Sequence, residues 1–303
     1  MKHDVLSLTD GGLETSLVFH EGFDLPCFAA FPLLEEEHGR AALRRYFQPF
    51  LDTAQEGALP FVLDTPTWRA NPDWGPRLGY DFDALAAVNA RAVEFARDLA
   101  KGRSEVTING VLGPRGDGYV VGEKMTAEEA AEYHAWQVRV LRNAGVERIT
   151  ALTLSYPDEA IGVVRASRSE GVPVVPSFTV ETDGRLPDGT TVAGAVAQVD
   201  AATGNAAEFF MLNCAHPTHI AAGLQDDDPA LERVGGLRVN ASMLSHAELD
   251  EAEELDEGDP VALGRDNAVL QNMLPSIQLL GGCCGTDHRH VGQIVSSWEA
   301  GAP

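Results

Sequence analysis

Eight short apolar runs mark the chain, at residues 5–9, 59–63, 106–112, 149–154, 172–175, 209–212, 237–239 and 277–280. They are continuous rather than alternating, which is the pattern of strands buried on both faces. Between them apolar residues recur at helical spacing. One such stripe is Leu43, Phe47, Phe50 and Ala54, closed by Gly57; another is Leu85, Val88, Ala92 and Leu99, closed by Gly102. The segment after the third run opens with a capping box, Thr126 and Glu129, puts Tyr133, Trp136, Val140, Leu141 and Ala144 on one face, and stops at Gly145. Alternating strands and helices predict an α/β fold of the (β/α)8 TIM-barrel type, with residues 1–303 forming one domain. A doubly wound open sheet is the alternative. Against it, the first strand runs into Asp10-Gly11-Gly12-Leu13-Glu14-Thr15, which lacks the three-glycine spacing of a dinucleotide turn.

Composition narrows the partners. Hydrophobic residues are 44% of the chain, enough for a sizeable core. Acidic residues outnumber basic ones 46 to 22, and a formal charge of −24 repels phosphate backbones and anionic lipid. Neither nucleic acid nor a membrane is an expected partner. No apolar stretch approaches the roughly 18 residues that span a bilayer, and no signal-peptide core follows Met1, so a cytoplasmic protein is expected.

The polar residues that follow the apolar runs carry the candidate chemistry. In a barrel, Asp10-Gly11-Gly12, Asp64-Thr65, Asn213-Cys214, Asn240 and Gly281-Gly282-Cys283-Cys284-Gly285-Thr286 converge on one mouth. Cys214 and the Cys283-Cys284 pair, distant in sequence, would then meet. Three thiolates select zinc among the common metals, and three ligands leave one position open for a substrate. The alternatives are small buried hydrophobes or a disulfide pair, although four cysteines make a poor disulfide framework.

Asp10-Gly11-Gly12, Asn213-Cys214-Ala215-His216-Pro217 and Gly281-Gly282-Cys283-Cys284-Gly285-Thr286, in that order, resemble the homocysteine S-methyltransferase family of zinc-dependent (β/α)8 enzymes, over residues 6–292. The resemblance implies that Cys214, Cys283 and Cys284 are zinc ligands, that Asp10, Gly11 and Thr65 line the amino acid pocket, and that a small thiol and a methyl donor are the partners. Asn213 and Asn240, beside these motifs, are further pocket candidates. No protein general base is required, because the cation itself stabilises the substrate thiolate.

One departure bears on the acceptor. Family members carry a Glu near the end of the fourth strand to hold the substrate ammonium, where this chain has Leu152. A leucine offers no charge-assisted hydrogen bond, so Glu14 or Glu181 must replace it, or the acceptor is a thiol other than homocysteine. A metal-binding homologue without methyl transfer is the remaining reading. Trp68-Arg69 also stands where betaine-using relatives have an aromatic pair. The histidines near the cysteines, His216, His219, His288 and His290, are expected to cap or support rather than ligate.

Overall fold

The structure, a computed structural model, describes residues 6–224 and 228–301; Val5 of the first apolar run lies outside them. Eight parallel strands close into a barrel in sequence order: β1 (Ser7–Leu8), β2 (Phe61–Asp64), β3 (Val106–Leu112), β4 (Arg148–Leu154), β5 (Val174–Phe178), β6 (Phe210–Asn213), β7 (Val234–Val239) and β8 (Leu279–Gly282). Closure runs through β1 and β8, where Ser7 and Leu8 face Leu279 and Leu280. Each strand is followed by a helix on the outside: α1 (Glu37–Glu56), α2 (Phe82–Ala100), α3 (Ala127–Ala144), α4 (Pro157–Glu170), α5 (Val192–Thr203), α6 (Pro217–Gly223), α7 (Pro260–Val269) and α8 (His288–Ala300). Among the described residues no helix is long and apolar enough to cross a membrane.

Most apolar runs lie within a few residues of an observed strand, with offsets at the ends. The fifth and eighth strands continue beyond the expected runs, to Phe178 and Gly282, and the seventh begins earlier, at Val234. Gly235 and Gly236 have no side chain to signal burial; Gly236 pairs with Met211 and Leu279, while the register with β6 skips Gly235, whose carbonyl accepts from Gln278 N. The Thr126 capping box forms as expected, and Gly145 stops α3 in the left-handed conformation.

The inward face of α3 differs from the expected one. Its buried stripe is Ala130, His134, Gln137, Val138 and Leu141, while Tyr133, Trp136 and Val140 are only half-buried. Two polar side chains turn inward because partners wait there: His134 Nε2 meets Glu159 at 3.0 Å, and Gln137 Nε2 donates to the Thr67 carbonyl and to Asn89 at 3.1 Å each. An apolarity count cannot register a buried polar group that is hydrogen-bonded.

The barrel interior has two layers. Val62, Val175, Phe209, Met211 and Leu279 form an apolar plug. Beside it runs a polar network in which Asn109 donates to Asp64 at 2.6 Å and accepts from Thr150 at 3.0 Å and Arg148 at 3.2 Å. The larger apolar core lies between the strands and the helices.

Helices α3 and α4 approach each other closely at Gly162. A Cβ there would lie 2.6 Å from the Ala131 nitrogen and closer still to Ala130 Cβ. Gly162→Ala should therefore destabilise the protein by about 1–3 kcal/mol through overpacking, although alanine is the better helix former. Urea unfolding of the two proteins checks the sign; a stabilised variant would show that the helix pair has room to separate.

Candidate active site

The three cysteines meet at the C-terminal mouth of the barrel. Cys214 follows β6 and turns out of the strand direction at φ 54°. Cys283 and Cys284 follow β8, on a turn that needs bare glycines before it: a Cβ on Gly282 would collide with the Thr286 hydroxyl, and one on Gly281 with Thr9. Strand β7 lies between and binds both segments, since Cys214 N donates to the Arg238 carbonyl at 3.0 Å and Cys283 N to that of Val239 at 2.8 Å. All three sulfurs lie within 4.8 Å of one another. Cys214 and Cys283 are joined here as a disulfide, with Cα atoms 5.4 Å apart, and Cys284 is a free thiol. The pair was one of the alternatives the sequence left open, and it excludes metal until it is reduced. Reduced, the cluster offers three soft donors at one point, a set that fits zinc. Burial, then the charge of Glu14, pushes the Cys284 thiol up to about 11, so without a nearby cation it stays protonated at neutral pH.

Beneath the cluster lies Arg238, 5% exposed, whose guanidinium makes four hydrogen bonds. It donates to Asp10 at 2.5 Å, to Asp64 through a short contact, and to the carbonyls of Gly11 and Gly282 at 3.0 Å each. Tyr46, reaching in from α1, donates to the other oxygen of Asp10 at 3.1 Å and accepts from Gly11 N. Two carboxylates thus share one cation. Burial raises Asp10 to about 6, Arg238 opposes that shift, and Asp64 adds to it.

The cleft above is walled by Phe28, Trp68, Tyr119 and Leu152 and floored by Gly11, Gly12 and the cysteines. Glu14 is the one cleft-lining acid without an ion-pair partner among the described residues. Burial, and then the charge of Asp10, raises it to about 7. Glu181, the other candidate, lies outside this cleft, lining a small cavity behind Cys214 with its carboxylate 3.4 Å from His246 Nδ1.

The remaining sequence-proposed residues divide. Thr65 lines the cleft, but its hydroxyl accepts from Val111 N and is shared with Thr67. Asn213 also lines it, yet its amide is spent tying β4, β5 and β6 together: Oδ1 accepts from Thr153 N and Ser177 Oγ, and Nδ2 donates to Thr153 Oγ1. Asn240 is not brought to the cleft; it borders the cavity behind Cys214. His216 caps α6, and His290 closes the capping box of α8. Arg69 lies against Trp68, its guanidinium stacked between that ring and Trp74.

Residues 7–297 match the family described as homocysteine S-methyltransferase. The chain belongs to that family. It is accordingly a methyltransferase that acts on thiols. Among solved structures it is similar to the homocysteine methyltransferase MmuM from Escherichia coli. The metallated form superposes with a TM-score of 0.75 and the oxidized form with 0.74, each at 20% identity over 97% of this chain and 96% of that chain. At such identity the likeness speaks for the fold. No curated protein sequence matches the chain.

Sequence reading missed Arg238, Tyr46, Tyr119 and His246 in this methyltransferase. Arg238 did leave a signal: a lone charge inside an apolar strand, with acids at the ends of two other strands, since a buried charge must be paired. Tyr119 sits on a loop and His246 opens a five-residue helix, too short for periodicity to announce a contact.

Removing the guanidinium leaves two buried acids uncompensated. Arg238→Met should cost about 3–5 kcal/mol at pH 8. The deficit should shrink toward pH 5, because Asp10, which burial already raises to about 6, is neutralised there. Denaturant unfolding of both proteins at the two pH values checks this; a deficit independent of pH would mean that lost packing, not charge, is responsible.

Proposed function

We propose that this enzyme methylates the thiol of homocysteine, giving methionine, with one zinc ion held by Cys214, Cys283 and Cys284. The carrying observation is the cluster of three sulfurs at the floor of a cleft in which Glu14 has no ion-pair partner among the described residues. The metallated form known for the similar E. coli protein favours the same reading. When bound, zinc supplies a positive charge that stabilises thiolate and a position left open by its three ligands.

The chain does the rest. Glu14, ionised, accepts the substrate ammonium and so takes over the task of the acid that Leu152 replaces. Phe28, Trp68, Tyr119 and Leu152 exclude water from the methyl being transferred, and Arg238 holds the strand ends that carry the cysteines. The methyl moves in line from an activated donor to sulfur while the bonding pair returns to the donor. Asp10, bound to Arg238 and Tyr46, supports Gly11 rather than offering a free charge. A small-molecule thiol and a small-molecule methyl donor are the partners, and the cytoplasm, where thiols stay reduced, suits cysteines that must not pair.

Leu152 on the cleft wall favours a second acceptor class, a thiol without an amino group. Turnover of homocysteine and of des-amino thiols with S-methylmethionine, S-adenosylmethionine and betaine separates the two readings. Methylation of des-amino thiols alone would retire homocysteine, and no turnover with any pair would leave a metal-binding homologue.

Two outcomes are expected. Purified under reducing conditions, the protein should hold one zinc per chain, and Cys214→Ala and Cys284→Ala should each lose most of it by elemental analysis; unchanged zinc in both would overturn the ligand set. Glu14→Gln should raise the KM for homocysteine by roughly tenfold to a hundredfold at pH 8, the effect of one lost charged hydrogen bond. Because Glu14 takes up a proton below about 7, the ratio of variant to wild-type KM should fall toward one as the pH drops through that value. A ratio that stays constant from pH 6 to 8 would place the ammonium elsewhere.

A further inference from the structure

Two loops meet over the cysteine cluster through a pair of rings. Tyr119 lies between β3 and α3, on a turn pinned by Asp117, whose carboxylate accepts from the backbone of Tyr119 at 2.8 Å and of Val120 at 3.1 Å. His246 lies beyond β7, just after Ser245, which forms a capping box with Glu248. The rings are 4.3 Å apart between centroids and tilted by 40°. Each also touches the cluster: His246 Nε2 is 2.6 Å from the Cys214 carbonyl oxygen, and the Tyr119 hydroxyl is 3.9 Å from the Cys284 sulfur. Neither Cys214 nor Cys283 has such a partner at its sulfur among the described residues.

This asymmetry matters for a site that holds several thiolates. A methyl donor in the cleft faces the substrate sulfur and, beside it, the sulfurs of the chain itself. Displacement at the wrong sulfur would break the same methyl–donor bond and return the same electron pair to the donor, but the new bond would make a protein thioether and lose a ligand. A hydrogen bond draws charge from a thiolate lone pair and makes it a poorer nucleophile. When Cys284 is a thiolate, the phenol is the member of the pair that carries a proton, so Tyr119 donates.

We propose that Tyr119, braced by His246, is a positioning residue that selects among sulfurs: its hydroxyl bond to Cys284 steers the methyl away from that cysteine and toward the substrate thiol. The proposal rests on the three cysteines being metal ligands. Access does not already account for such a choice, since Cys283 and Cys284 are both half-buried.

The test uses the zinc-loaded protein without any thiol acceptor and iodomethane as the methyl source, a probe independent of the enzyme's own donor. Peptide mapping reads methylation at each cysteine with time. In the wild type Cys284 should react several-fold more slowly than Cys283. In Tyr119→Phe, which keeps the ring against His246 and removes only the hydroxyl, Cys284 should react about tenfold faster than in the wild type, the worth of one hydrogen bond to a charged group, with Cys283 unchanged. In the cobalt-substituted proteins the sulfur-to-metal charge-transfer band should move to lower energy in the variant. Equal Cys284 rates in two proteins of equal zinc content would overturn the role of Tyr119 and leave the metal site standing. A wild type that binds no zinc under reducing conditions would overturn both.

Discussion

The buried guanidinium of Arg238 is the constraint on which the mouth of this barrel depends. Its side chain joins Asp10 after β1, Asp64 at the end of β2 and the Gly282 carbonyl that precedes Cys283, while its own carbonyl receives Cys214 N. One residue thereby sets the relative positions of both cysteine segments and of the Asp-Gly-Gly turn. Placing such charges away from water is costly, and replacing them all with well-packed apolar residues of similar size would often be no less stable. What the ion cluster provides is direction: a guanidinium with several partners at fixed angles allows little rotation of the strand ends it joins.

Strain accompanies this arrangement. Thr153 and Cys214 both adopt left-handed backbone angles, φ 63° and 54°, a conformation that a β-branched threonine takes at some cost. Asn213 is the link between them, because it sits directly before Cys214 and holds Thr153 through both its backbone and its hydroxyl. The ladder between β4 and β5 slips at the same place, between Ala151 and Leu154. The turn that aims Cys214 at the cluster is therefore secured by an amide on the strand, not by the loop that follows.

The parts of this fold that could be read from sequence are those with a local cause. Continuous apolar runs identified the strands, Thr126 and Gly145 bounded α3, and the glycines before Cys283 marked a turn made for close approach. Asn240 shows where that reasoning ends: adjacency to a strand end puts a residue near the mouth without deciding which side of Cys214 it faces. The buried side of α3 was hidden because His134 and Gln137 are inside for their hydrogen bonds, and the partners lie on other helices and loops. Tyr119 and His246 became visible only when two loops, distant in sequence, were seen to touch.

The cysteines come from β6 and β8, and Arg238 from β7 between them, whereas Trp68, Tyr119 and Leu152 stand on or beyond β2, β3 and β4. The barrel is thus divided by task into two arcs. Substitutions at Trp68 or Leu152 can reshape the cleft wall without touching the strand ends that carry the cysteines.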